Sequence, residues 1–408
     1  MSRSEEKRNK KLLLQIITLT ILIALTAGML VLAVYIVDYN VANNDVPDTD
    51  RPPALEATHT PSPINSPAPE ATPASEDELE YEHMWYDGVF ELPLHGATGF
   101  AATSLSVMEE ADSEAHTLLV LEAGQGFTIL SEHDDWWNIM VADTEGWVMH
   151  NLCFINLPDV LPSIVYNITN ARSSVARSSG VAIPNITGHV LYETWGFNLR
   201  LDRQEFTVPL LYSSALLLSQ AQRAALADGN TIIVYEAFRP RSTQQDTADN
   251  LKALMETNAE VRDAINTPPW HIGWFISTNV SNHQRGAAVD VSLGRIVEQE
   301  IRVSGSFSYI HVTEHIEFEM PTEMHELSPR AVVFDPVESG VVTDWTNMPL
   351  AETVTEGVVL MQSYLTQAGF TPLASEWWHF KDLESVSFAK SVGLYGDFMI
   401  QNNYSTLP

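Results

Sequence analysis

Cysteine is nearly missing from this chain: one residue in 408. That excludes an internal disulfide framework and any cysteine-rich zinc site. Cations are also scarce, 21 Lys and Arg against 53 Asp and Glu, for a formal charge of −32. A chain this acidic lacks the basic face that phosphate backbones require, so nucleic acid is excluded as a partner. No internal repeat is present. Hydrophobic residues are plentiful at 45%, which excludes wholesale disorder and allows a sizeable core. At roughly 150 residues per domain, the length suits two or three units.

Charge is absent altogether from Leu12 to Val37, 26 residues. As a helix this run reaches roughly 39 Å, more than the ~30 Å apolar layer of a bilayer. Signal-peptide cores are shorter, at ~7–15 residues, and no small-x-small cleavage site follows directly. The run therefore predicts a retained transmembrane helix. Five basic residues (Arg3, Lys7, Arg8, Lys10, Lys11) precede it and Asp38, Asp45, Asp48 and Asp50 follow it. That asymmetry predicts a cytoplasmic tail over 1–11 and everything after the helix outside the cell. Residues 38–83 hold eight of the 22 prolines among Ala, Ser, Thr and Glu. They read as a disordered linker holding the rest away from the membrane.

Residues 84–157 predict a small all-β barrel. The strand-type runs are Thr117–Leu121, Phe127–Ser131, Trp136–Val141 and Gly146–Met149, with turns at Gly124–Gly126 and His133–Asp135. Leu118–Leu130, Asp135–Trp136–Trp137 and Gly146–Trp147–Val148 resemble the second half of a bacterial SH3-like domain, a module that often binds cell-wall peptides. Residues 158–408 mix helices (Ser213–Asp228 capped by Ser213 or Ser214 and stopped at Gly229, Ser242–Ile265, Thr353–Ala368) with strands (Thr231–Phe238, Ala287–Leu293, Glu376–Phe380). The irregular interleaving predicts an α+β class rather than a doubly wound sheet.

Two clusters carry chemistry. In Ser281–Asp290 an imidazole, His283, and a carboxylate, Asp290, lie seven residues apart. A straight strand would send them to opposite faces, but Gly286 permits a turn that brings them together. In Glu376–Trp377–Trp378–His379–Phe380 a carboxylate precedes an imidazole inside an apolar run. Burying both costs several kcal/mol unless they are paired or metal-bound. Two His and one Asp suit a zinc site with a position open for water, and a Glu beside it can take that water's proton. His283, Asp290 and His379 fit as ligands and Glu376 as base.

Ser281–Asp290 resembles the Ser-x-His-x-x-Gly-x-Ala-x-Asp motif of zinc D-alanyl-D-alanine peptidases. Glu376–Phe380 resembles their Glu-Trp-Trp-His-Phe, and Glu236–Pro240 their Asp/Glu-Ala-Tyr-Arg-Pro. The likeness runs over about 240 residues, and the dipeptidase (VanX-like) branch is nearest. It implies a small α+β domain with a central antiparallel sheet and one Zn2+ per chain held by His283, Asp290 and His379. It implies Glu376 as general base, Arg239 as oxyanion stabiliser, and Ser281 on the substrate. The family's Asp-Met-Gly-Thr segment, whose acid faces the substrate amine, is matched only by Glu319–Thr322. Glu319 is the candidate, with Glu317 and Glu323 as competitors. If no acid guards the amine, longer peptides can bind. The expected substrate is D-Ala-D-Ala, with a D,D-carboxypeptidase on wall stem peptides as the alternative. An inactive wall-binding protein is the rival from another class, opposed by the intact ligand set and Glu376.

Overall fold

The computed structural model describes residues 84–168, 176–186, 195–335 and 345–408. The predicted tail, transmembrane helix and linker at 1–83 lie outside these residues. Among the described residues, no helix is long and apolar enough to cross a membrane. All of the described residues belong to one compact unit, Leu79–Pro408.

After a two-residue strand, β1 (Met84–Trp85), seven strands follow in quick succession. They are β2 (Thr98–Ala101), β3 (Leu105–Met108), β4 (Thr117–Leu121), β5 (Gly126–His133), β6 (Trp136–Val141), β7 (Thr144–Met149) and β8 (Cys153–Asn156). The strand-type runs expected at 117–121, 127–131, 136–141 and 146–149 are β4 to β7, and within them Phe127, Ile129, Trp137, Ile139 and Val148 are buried. A short turn of helix, α1 (Leu157–Val160), and β9 (Val165–Tyr166) lead into two small hairpins. These are β10 with β11 (Arg177–Ser178, Val181–Ala182) and β12 with β13 (Trp195–Asn198, Arg203–Phe206).

The all-β sheet does not stop at residue 157. β14 (Pro209–Leu211) pairs antiparallel with β8, giving the order β14-β8-β2-β5-β6-β7-β3-β4. Chain from the C-terminal side is also laid on it: Gln401 N–H donates to Gly124 O at 3.0 Å and Thr406 N–H to Gly96 O at 2.8 Å.

Because β14 runs straight into helix α2 (Tyr212–Ala227), the helix begins on Leu211 without a side-chain cap. The caps expected of Ser213 and Ser214 are corrected here. Ser213 bonds Ser385 at 2.6 Å and Ser214 donates to Asp382 at 3.0 Å, tying α2 to the C-terminal helix. The predicted stop is present, with Gly229 at φ +74°. β15 (Asn230–Glu236) is wholly buried. The single helix expected over 242–265 is two, α3 (Arg241–Thr257) and α4 (Ala259–Asn266). Asn258 leaves helical geometry between them, and its side chain accepts from Val261 N–H to cap the second.

β16 (Ala288–Ser304) and β17 (Phe307–Glu317) form a long hairpin turned at Gly305. Helix α5 (Glu356–Gln367), capped by Thr355, leads to β18 (Thr371–Leu373), β19 (Glu376–Lys381) and α6 (Leu383–Ser391). These strands build the second sheet, β1-β17-β16-β15-β9, with β19 against β16 and β18 against β19. Its centre is antiparallel, as expected, while the outer pairs β1–β17 and β15–β9 are parallel.

Candidate metal centre

The site is assembled at one level across three neighbouring strands. Glu236 on β15 is the register partner of Asp290 on β16, and Asp290 is the partner of His379 on β19. The fourth group arrives by a turn. Asn282 O accepts from both Arg285 N–H and Ala287 N–H, and His283 O from Gly286 N–H at 3.0 Å. Gly286 takes φ +66°, a left-handed geometry that favours glycine. A Cβ there would stand 2.4 Å from the Phe154 ring of β8. The turn expected at Gly286 thus exists, and it swings His283 back onto Asp290.

His283 Nε2, His379 Nδ1 and Asp290 Oδ1 form a triangle with sides of 3.0, 3.2 and 2.9 Å. Tetrahedral ligand atoms about 2.0–2.1 Å from a zinc ion stand roughly 3.3 Å apart, so the donor set fits that metal. His283 Nδ1 lies 2.8 Å from Ala237 O. If Nδ1 carries the proton, Nε2 is left as the ligand. All three residues are buried. Burial pulls the His379 imidazole down to about 4, leaving it neutral and able to ligate. Burial would raise the Asp290 carboxyl, but the surrounding imidazoles, His283 foremost, hold it well below the usual carboxylate range.

Glu376 stands beside the triangle rather than in it, its Oε2 3.8 Å from His379 Nδ1. Burial, with the Asp290 charge added, pushes its carboxyl well above the ordinary range. A carboxyl so perturbed next to a metal triad is suited to receive a proton.

Arg239 lines the same cavity. Its Nη2 donates to Glu236 and, at 3.2 Å, to Asp290 Oδ2, and its Nη1 donates to Gln244 at 2.7 Å. Glu236 and Asp290 outweigh burial and keep the guanidinium firmly charged. Glu236, Asp290 and His325 form a second group with metal-compatible spacing. Because the Arg239 guanidinium already bonds both carboxylates of that group, the structure favours a single metal position.

Ser281 also lines the cavity, where its Oγ accepts from Gln284 N–H at 3.2 Å. Glu319 does not reach it. That residue is exposed, its carbonyl accepts from Thr355 at 2.6 Å, and it is not among the cavity residues. The Glu319–Thr322 segment is held instead on the far side of β19, where Trp377 Nε1 donates to Thr322 at 2.9 Å. The same chain then delivers His325 to the site. It is buried, with Nε2 3.2 Å from Asp290 Oδ2 and its ring edge-on to Trp378. Neither His325 nor Gln244 was legible in the sequence, since neither sits in a motif. Burial also drew in Lys381, two residues beyond His379, whose pKa falls below the usual lysine range for that reason.

The three donors could hold a single metal ion, and the carboxyl of Glu376 stands beside them. Residues 185–392 match the D-ala-D-ala dipeptidase family of peptidases, and the chain belongs to that family. Comparison with curated proteins gives no match. Among solved structures, the chain matches a mutant of the vancomycin resistance D,D-pentapeptidase VanY from a VanB-type resistance cassette, in complex with Zn(II). The identity is 15%, the TM-score 0.22, and the match covers 48% of this chain and 85% of that one.

Proposed function

We propose that the protein is a zinc metallopeptidase that hydrolyses D-Ala-D-Ala-type peptides in cell-wall metabolism. The observation that carries this reading is the His283–Asp290–His379 triangle with Glu376 beside it but outside it. When bound, zinc would supply Lewis acidity and an acidified water. Glu376 takes the proton from the attacking water and returns it to the leaving amine, so the amide C–N bond breaks as water adds across it. Arg239 faces the oxygen on which negative charge grows. Its Nε is buried with no protein acceptor among the described residues, and the guanidinium complements that charge without reorganisation. Ser281 contacts the substrate from the cavity wall.

Family membership supports D-alanyl-D-alanine dipeptidase activity as the first reading. The position of Glu319 favours a second, a D,D-carboxypeptidase trimming peptidoglycan stem peptides. An exposed Glu319 outside the cavity leaves the amine end of the substrate unguarded by that acid. The two are separated by incubating the zinc-loaded full-length protein with D-Ala-D-Ala and with a stem pentapeptide. Free D-Ala from the dipeptide marks the first reading, and release only from the pentapeptide marks the second. No release from either substrate identifies an inactive wall-binding protein.

In this reading Leu12–Val37 anchors the chain as a single-pass helix with residues 1–11 in the cytoplasm, and the catalytic residues lie outside the cell. The strands within residues 84–157 form, in the same reading, an SH3-like module that binds the wall. The charge asymmetry around the apolar run supports this topology. Protease added to intact cells degrades residues 84–408 if it is right and leaves them protected if it is not.

A further inference from the structure

One cation in the cavity makes no hydrogen bond and no ion pair among the described residues. Of the described residues that line it, Arg239 and Lys381 are the arginine and lysine side chains. Arg239 is committed to Glu236, Asp290 and Gln244. Lys381 is 2% exposed yet, among the described residues, makes no hydrogen bond and no ion pair. A buried ammonium without a counter-charge is costly unless something arrives to neutralise it. Glu376 is close enough to be felt, but it does not pair with Lys381. Glu236 and Asp290 are already bonded by Arg239, so they do not require the lysine.

Position then says what the lysine is for. His379 and Lys381 are two apart on β19, so they project from the same face. Their Cα atoms are separated by about 6.5 Å along the strand. In a peptide cut one residue from its end, the scissile carbonyl and the terminal carboxylate are one residue apart, about 3.8 Å from Cα to Cα. A flexible lysine stem spans the difference. Resting on the peptidase reading above, we infer that Lys381 binds the free C-terminal carboxylate of the substrate. It is a specificity-determining residue that admits one residue beyond the scissile bond. With the carboxylate fixed this close to the metal ligands, the site works as an exopeptidase ruler. Esters, amides and chains extended at the C-terminus lose the ion pair.

The test uses the full-length zinc-loaded protein, an acyl-D-Ala-D-Ala peptide and the same peptide as its C-terminal amide. A hydrogen-bonded charge pair of this kind corresponds to about a 10- to 100-fold change in affinity. Lys381→Met should raise KM for the free acid by that factor, with a smaller change in kcat, and leave cleavage of the amide unchanged. Lys381→Arg should restore part of the loss. Calorimetric binding of the two peptides to wild type and to Lys381→Met reads the same preference without turnover. A wild type that binds the acid over the amide but cleaves neither would defeat the peptidase reading and leave the anchor standing. A Lys381→Met protein of normal zinc content that keeps the wild-type preference for the acid would overturn the inference. So would equal loss on acid and amide, which marks a structural role.

Discussion

Asp290 and His379 face each other as register partners on adjacent antiparallel strands, with Oδ1 and Nδ1 2.9 Å apart. The ladder hydrogen bonds of the sheet therefore set the spacing of two of the proposed metal ligands. The third, His283, depends on the Gly286 turn. Backbone architecture thus fixes the ligands before any metal arrives, which is the arrangement precise first contacts require.

Zinc content separates ligand from base. His283→Ala and His379→Ala should each lose the metal, measured as zinc per chain after gel filtration. Glu376→Gln should retain about one zinc per chain and lose at least about 100-fold in turnover, the low end of a general-base contribution. Loss of zinc in Glu376→Gln together with its retention in Asp290→Ala would exchange the two roles.

His325 holds the ligand Asp290 by its second oxygen. Removing a partner that orients a ligand typically weakens metal binding 10- to 100-fold. His325→Ala is expected to show that loss in competition with a zinc chelator, while still binding one zinc at saturation.

Gly286→Ala combines a positive φ with a collision against Phe154. The left-handed geometry alone costs about 1–2 kcal/mol, and the clash adds to it. A loss of at least about 2 kcal/mol in urea unfolding is expected, with lowered zinc affinity because the same turn carries His283. An unchanged midpoint would show that the turn relaxes freely.

Glu91 offers a pH test away from the metal. It is half-buried, and desolvation pushes its carboxyl from 4.5 up to about 7 despite hydrogen bonds from Ser163 N–H and Oγ. A raised folded pKa means the folded state holds the proton longer. Its contribution is complete below pH 4.5 and is lost as pH rises through 7. Glu91→Gln should flatten that decline and gain on the order of 2 kcal/mol above pH 7. Thermal unfolding of both proteins from pH 4.5 to 8 measures it.

The convergence of His283, Asp290 and His379 was legible because such groups are costly to bury and stand in short, dense clusters. Strands such as Trp136–Val141 were legible because one face is buried. The far half of β16 was not. Val297, Ile301 and Val303 are exposed there, so no buried face imposes an alternation that a sequence can display. The break at Asn258 was missed because a single Asn inside a polar helical stretch gives no hydrophobic signal. Its cap geometry decides the matter. His325 and Lys381 were also missed. His325 is brought to the cavity by tertiary packing that no spacing encodes, whereas Lys381 stands two residues beyond His379 on β19, where strand alternation alone would have placed it on the same face.

β16 has unequal ends. From Ala288 to Gly294 it is buried, with β19 along Ala288–Asp290 and β15 along Asp290–Arg295, whereas beyond Arg295 its ladder partner is β17 alone. Along 295–303 no side chain of β16 is buried, so the register there is held by backbone pairing and its amides open more readily. The same strand is thus stiff where it carries Asp290 and more compliant along 297–303, before Ser304 and Tyr309 bury its far end again. In hydrogen exchange, the amides of 289–293 should outlast those of 297–303 by orders of magnitude in time.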